Sequence, residues 1–249
     1  QPNTWRIMKL NENPQHAGVF RTCVRVSGVC LDWTLHYEVL RRDCAQLSLT
    51  CPRSLELIEA LQRSAHTGVM RIEVTPQGFS LHPRVSRVYP PTARLLLCNT
   101  RLPHHPATAG IKLIHRPVYE AARAQYVNEK YDEGLVLDEV NAVIEGTSTN
   151  LFMLRAGEIH TPMLHQCGVA GMMRQRLIQY LTKQHYSVRI VPLSTNDLMT
   201  ADSLFLTNAV CGVWPVSELS LGEHTVNFSP VETVLRLRSA IQCQSVTSQ

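Results

Sequence analysis

Between Leu135 and Thr161 the chain places four short apolar segments in close succession: Leu135 to Asp138, Ala142 to Glu145, Asn150 to Leu154 and Glu158 to Thr161. Only turn residues separate them, so each reads as a short β-strand. A helical pattern precedes the cluster, from about Val118 to Val127, and another follows it, from Val169 to about Gln184. Strands at Ser187 to Val191 and Ser203 to Thr207 and a terminal helix from Val231 to Gln242 complete this half. Strands clustered between helices predict an α+β domain.

The first half is also mixed α and β. Val19 to Val26 alternates and is rich in β-formers, while His36 to Leu49 has helical spacing through Leu40, Cys44 and Leu47. Leu55 to Ser64 reads as a second helix, and Val69 to Thr75 and Ala93 to Cys98 as strands. Thr100 to Ala109, TRLPHHPATA, has two prolines, two histidines and no periodicity, which suits a surface linker. With 249 residues the chain can form two domains, and the expected division falls near residue 105, giving 1–105 and 106–249.

Composition excludes some partners. The net charge of +4 is mild, and the arginines are scattered instead of forming a stripe, so nucleic acid is not expected. Eight cysteines lie mostly in apolar segments with no Cys-x-x-Cys pair, as in a protein of a reducing compartment. No apolar run reaches the ~20 residues that span a bilayer, and no signal-peptide core is evident, so a cytoplasmic location is expected. The sequence opens on Gln1, and a preceding segment is expected to have been trimmed or left out. His160, His165 and Cys167 match no zinc spacing, so no metal is expected.

The chemistry is concentrated in four stretches. Lys112 sits in ATAGIKLIHRPVYE, inside a small and apolar run, in a chain with 20 arginines and four lysines. Burial disfavours the charged ammonium, and a neutral lysine can act as base or imine-forming nucleophile, which an arginine cannot. The competing reading is a lysine whose stem packs on apolar surface while its ammonium reaches water. Lys9, Lys130 and Lys183 lie near the terminus or among polar residues. Glu145 ends an apolar segment and opens the polar loop of VIEGTSTNLF, where its carboxylate could equally be solvated. In CGVAGMMRQRLIQYL two glycines open a helix whose free N–H groups could bind phosphate, or simply punctuate the chain. FLTNAVCGVWPV offers further backbone donors at a strand end.

In this order and spacing the four stretches resemble the fold-type IV pyridoxal-phosphate enzymes, the class IV aminotransferase family. The likeness is nearest to its 4-amino-4-deoxychorismate lyase branch, through AGIK, EGTSTNLF, TPMLHQCGVAGMMRQ and ADSLFLTNAVCGVWPV. It runs from about Ala109 to Val216, and more loosely back to Gly18. The resemblance implies a two-domain α/β fold with the cofactor in the cleft between domains, and a homodimer. It also implies a lyase that makes 4-aminobenzoate and pyruvate, with pyridoxal 5'-phosphate as cofactor. Lys112 would then be catalytic and carry the cofactor. Glu145 would face the pyridine nitrogen and keep it protonated. The backbone around Met172, Met173 and Ala209 would hold the phosphate, and Thr147, Asn150 and Asn208 would line the site.

This chain departs from the pattern in places. The tyrosine that branched-chain transaminases carry five residues after the lysine is Pro117, and the lyases' typical asparagine three residues after it is His115. The phosphate-binding arginine of His-x-x-Arg-Leu is Val39 in HYEVLRRD; among its neighbours Arg42 is nearest in helical angle and is the expected substitute. NENPQHAGVF replaces an Asp- and Gly-rich stretch, and VTPQGFS replaces a substrate loop rich in glycine and arginine. These differences keep two alternatives open: transamination of D- or branched-chain amino acids, and a paralogue that keeps the fold without turnover.

Overall fold

The computed structural model describes residues 18–127 and 130–247, with side chains through Ile241 in the last helix. Lys9 and the NENPQHA stretch lie outside the described residues. In chain order the elements are β1 (Val19–Val26), β2 (Val29–Cys30), α1 (Trp33–Gln46), α2 (Ser54–Arg63), β3 (Gly68–Thr75), β4 (Gly78–Arg84) and β5 (Ala93–Leu102). There follow α3 (Pro117–Arg123), β6 (Glu133–Asp138), β7 (Val143–Gly146), β8 (Asn150–Arg155) and β9 (Glu158–Pro162). The chain ends with α4 (Met172–Lys183), β10 (Val188–Val191), α5 (Thr195–Met199), β11 (Ser203–Asn208), β12 (Gly212–Leu221), β13 (His224–Asn227) and α6 (Glu232–Thr247).

The first sheet is antiparallel in the order β2-β1-β3-β4. Its buried face carries Val19, Cys23, Met70, Ile72 and Val74, and α1 and α2 cover it with Leu40, Cys44, Leu57 and Leu61. VTPQGFS, expected to be a divergent substrate loop, is the tight connection between β3 and β4, with Thr75 paired to Gly78.

In the second sheet the strands β8, β11, β12, β5, β6 and β7 pair in a ring, because β7 also pairs with β8. Closure removes the sheet edges, and period-two alternation sorts the side chains. Leu151 and Met153, Leu204 and Leu206, and Trp214 and Val216 fill the barrel interior with Leu95, Leu135 and Leu137. Their sequence neighbours Phe152, Phe205 and Val213 point the other way, into a second core closed by α4 and α6. Phe152 and Phe205 stack there at 5.2 Å.

The change of sheet falls between Arg84 and Ala93, earlier than the expected division near residue 105. The reason is β5, which runs on through Leu102 and pairs in parallel with both β12 and β6, so most of the first half of the apparent linker is barrel strand.

The lysine segment is held between the two halves. Leu113 bridges Val19 of β1, and Gly110 bridges Val169 in the loop before α4. Phe20 N–H donates to the Lys112 carbonyl at 3.0 Å, Gly110 N–H donates to the Gly168 carbonyl at 2.9 Å, and Ala170 N–H donates to the Gly110 carbonyl at 3.0 Å. Gly18 permits the close approach, since a Cβ there would lie 2.6 Å from Ile114 Cδ1 and 3.0 Å from the Val74 carbonyl oxygen. Among the described residues no helix is long and apolar enough to cross a membrane.

Candidate active site

A cleft enclosing about 480 Å³, part of it open to solvent, lies where the lysine segment meets the barrel rim. Lys112, Glu145, Asn150, Met172, Met173, Asn208 and Ala209 all line it, although they are spread over nearly one hundred positions. Lys112 and Ala209 reach the cleft from loops and the others from element ends: Glu145 from β7, Asn150 from the start of β8, Met172 and Met173 from the first turn of α4, and Asn208 from the end of β11.

Lys112 keeps some accessible surface, but that surface faces the cleft, with its Nζ 5.0 Å from the centroid of the Phe20 ring. Burial, then the like charges of Arg116 and Arg21, lower its amine from the ordinary 10.5 to about 7, against the opposing attraction of Glu145. Its backbone is equally fixed. Asp43, fully buried on α1, accepts the Lys112 N–H at 3.1 Å, and also binds the Arg21 guanidinium through Oδ2 and Arg42 through Oδ1.

Glu145 is 2% exposed and is held by three donors. Tyr119 hydroxyl and Val169 N–H, at 3.1 Å, donate to Oε1, while Asn150 Nδ2 donates to Oε2 at 2.9 Å. A carboxylate has about four acceptor positions, so capacity for a further donor remains. Burial pushes the Glu145 carboxyl up to about 7, with Tyr119 and Arg116 working in the opposite direction. Asn150 also donates to the Val169 carbonyl at 2.7 Å, which ties the glycine loop to the carboxylate.

Two expected site residues serve elsewhere. Thr147 is fully buried with its hydroxyl turned to Glu133 at 2.6 Å, where Tyr126, Gly134 and Ser148 also donate. It braces the turn that follows Glu145 and does not line the cleft. Arg42, the expected substitute for a phosphate arginine, donates to the carbonyls of Gly110 and Ala170, both at 3.2 Å, and staples the lysine segment to the glycine loop. Val39 is buried in the core containing Met172 and Met173. Asn208 lines the cleft, but its Oδ1 accepts from Val210 and Cys211 N–H, both at 2.8 Å, so it shapes the turn behind the wall.

The structure adds Arg21, His36, Arg116 and Thr207 to the lining. Arg21 was detectable as a charged residue on the buried side of an alternating strand, between Val19 and Cys23; the others carried no local signal. Away from the cleft, ligand atoms of His104, Asp138 and Cys167 lie within 4.8 Å of one another. There Asp138 accepts from His104 and from Val140 and Ala142 N–H, so it caps the β6–β7 turn.

Comparison with known proteins gives one consistent family. The Amino-transferase class IV model matches residues 18–219. An aminodeoxychorismate lyase of Vibrio harveyi is 34% identical over 145 residues, 58% of this chain and 54% of that protein. A putative branched-chain-amino-acid aminotransferase of Methanocaldococcus jannaschii is 31% identical over 119 residues, 48% of this chain and 41% of its own length. These matches thus span about half the length of the curated relatives. The crystal structure of a 4-amino-4-deoxychorismate lyase from Pseudomonas aeruginosa superposes with a TM-score of 0.80 at 29% identity, covering 92% of this chain and 90% of that one. At 19% identity, an aminotransferase from Brucella abortus bound to the cofactor PLP shares the fold, with a TM-score of 0.76 over 92% of this chain and 89% of its own.

Proposed function

Because the chain belongs to the class IV aminotransferase family, we propose that it binds pyridoxal 5'-phosphate at Lys112 and splits 4-amino-4-deoxychorismate into 4-aminobenzoate and pyruvate. The observation that carries this reading is the meeting of Lys112 and Glu145 in one cleft, with three buried polar atoms in its walls that have no partner among the described residues: Arg21 Nε, His36 Nδ1 and Thr207 Oγ1. Unpaired buried polar atoms are costly, and a polar anionic ligand would satisfy them. The residues present therefore fit the cofactor.

Lys112 would hold the cofactor's aldehyde carbon through its Nζ. The cofactor supplies an electron sink for the pair released at the substrate's amine-bearing carbon. Glu145, fixed by Tyr119, Val169 and Asn150, would hold a proton on the facing ring nitrogen. Lys112 would take the ring proton from the amine-bearing carbon, a task suited to an amine that titrates near 7, and return a proton to the enolpyruvate that departs as the carbon–oxygen bond breaks. Loss of pyruvate leaves an aromatic ring, so the protein has chiefly to position the substrate and move a proton.

Pro117 opens α3 where branched-chain transaminases carry a cofactor-binding tyrosine, which favours the lyase over the transaminase. The proposal includes a homodimer and a cytoplasmic location; the free thiols among the described residues suit a reducing compartment. The test is to incubate the cofactor-loaded protein with 4-amino-4-deoxychorismate and follow 4-aminobenzoate fluorescence and pyruvate together. Both products should appear in equal amounts and vanish in Lys112→Ala. Absence of both from the wild type overturns the lyase reading, and keto acid released from an amino acid instead would assign a transaminase.

A further inference from the structure

The phosphate end of the cleft lacks the cation expected on α1, because Val39 is apolar and Arg42 is committed to two carbonyls. Yet the cleft is rich in positive charge. Arg21, Arg116 and Lys112 all line it, against Glu145 as the carboxylate of its lining. Arg116 belongs to the Glu145 end: its guanidinium carbon lies 3.6 Å from the centroid of Tyr119, whose hydroxyl donates to Glu145.

Arg21 lines the cleft from the side of α1. Its β1 neighbourhood packs under α1, and its Nη2 is held by Asp43, one turn beyond Val39 on the same face of that helix. Val39 in turn packs in the core that contains Met172 and Met173, the first two residues of α4. That helix is twelve residues long, and its N-cap Gly171 supplies no side-chain cap. Its first-turn N–H groups therefore form an anion-binding end. Arg21 is 3% exposed, and its Nε has no partner among the described residues; Thr207 Oγ1, in the same cleft wall, is in the same condition. A buried guanidinium with an unpartnered donor, in a cleft that a helix N-terminus also lines, suits an oxyanion with several acceptors.

We propose that Arg21 is the cation that receives the phosphate group of the bound cofactor, acting with Thr207 and the first turn of α4. Asp43 orients the guanidinium through one nitrogen and leaves Nε to the ligand. Burial lowers Arg21 only to about 10, so it stays charged at neutral pH. The lost α1 position is thus replaced from the adjacent strand, not from the next helical turn.

The inference rests on the cofactor reading, and the test separates the two. Equilibrium binding of pyridoxal 5'-phosphate and of pyridoxal, which lacks the phosphate, is measured by absorbance of the lysine adduct in the wild type, Arg21→Leu and Arg21→Lys. The wild type should prefer the phosphorylated form. Arg21→Leu should lose on the order of 10- to 100-fold of that preference, the range for charge-assisted hydrogen bonds, while any effect through the Lys112 amine falls on both aldehydes alike and cancels in the ratio. Arg21→Lys should retain an intermediate preference and keeps the test usable if the leucine variant does not fold. Inorganic phosphate should compete with the cofactor in the wild type and much less in the variants. An unchanged preference, or equal loss of both ligands, overturns the role of Arg21. A wild type that forms no adduct with either aldehyde overturns the cofactor reading itself.

Discussion

The depressed amine of Lys112 can be tested without substrate or cofactor. An ordinary lysine titrates at 10.5, so at pH 7 only about one amine in 3,000 is neutral. Burial and the charges of Arg116 and Arg21 bring Lys112 to about 7, where roughly half of it is neutral. The apoprotein should therefore form imines at Lys112 near neutrality with an advantage on the order of 10³ over an ordinary lysine, less any penalty for access to the cleft. Reductive methylation with formaldehyde between pH 6 and 10, followed by mass mapping, reads Lys112 directly against the exposed Lys130 and Lys183. Its rate should rise through pH 7 and level off by about pH 8. Since burial is the largest cause, Arg116→Ala should move the inflection upward only part of the way to 10.5. The linkage has a definite sign. Between pH 7 and 10.5 the unfolded chain binds a proton here that the folded chain does not, so the Lys112 contribution to stability rises with pH across that window. The difference in urea midpoint between wild type and Lys112→Met should follow this slope. A labelling inflection above pH 9.5 would refute the reasoning, because it would show the ammonium solvated.

Two further perturbations probe the supports of the site. Asp43→Asn leaves the buried Arg21 guanidinium without its counter-charge, and loss of one member of a buried pair costs about 3–5 kcal/mol; a urea denaturation that finds less than about 1 kcal/mol would show that Asp43 is dispensable. Gly168 has φ +85, and a Cβ there would lie 2.7 Å from Ile144 Cγ2 and 2.8 Å from Leu164 Cδ2. Gly168→Ala should therefore displace the Val169 N–H from Glu145 and weaken cofactor binding at least several-fold with a smaller change in folding midpoint, and unaltered binding in a spectroscopic titration would count against that loop as a support.

What the sequence reveals and conceals follows from the range of each interaction. Lys112, Glu145 and the glycine-opened helix α4 are legible because each is a local anomaly: a lysine among small apolar residues, a carboxylate at a strand end, two glycines before an amphipathic run. His36 and Asp43 are not, and Arg21 shows only as a charge on the buried side of a strand, because their meaning lies in contacts across elements, such as Asp43 reaching both Arg21 and the backbone of Lys112. Arg42 was the reasonable substitute for a missing arginine as long as helical angle was the only geometry at hand. The two carbonyls of Gly110 and Ala170 that occupy it come from distant segments, which periodicity cannot display. Thr147 shows the same limit, since a threonine after a site carboxylate is indistinguishable in sequence from one that braces Glu133 beneath it. The linker expected from Thr100 has a similar origin: prolines and histidines just past the end of β5 hide a strand whose parallel partners lie at Glu133–Asp138 and in β12.

The charge distribution of the cleft joins nucleophile and ligand binding. Asp43 turns its carboxylate away from the cleft, onto Arg21, Arg42 and a backbone N–H, so it compensates the arginines without neutralising the space they face. Positive charge is thereby left directed at the cleft from Arg21 and Arg116, where it lowers the amine of Lys112 and attracts an anion. An arrangement with Arg21 paired completely would lose its share of both effects, while burial and Arg116 would still hold the Lys112 amine down. The buried carboxylate on α1, remote from the lysine in sequence, therefore fixes the lysine's backbone and holds one nitrogen of Arg21 while leaving its Nε without a partner among the described residues.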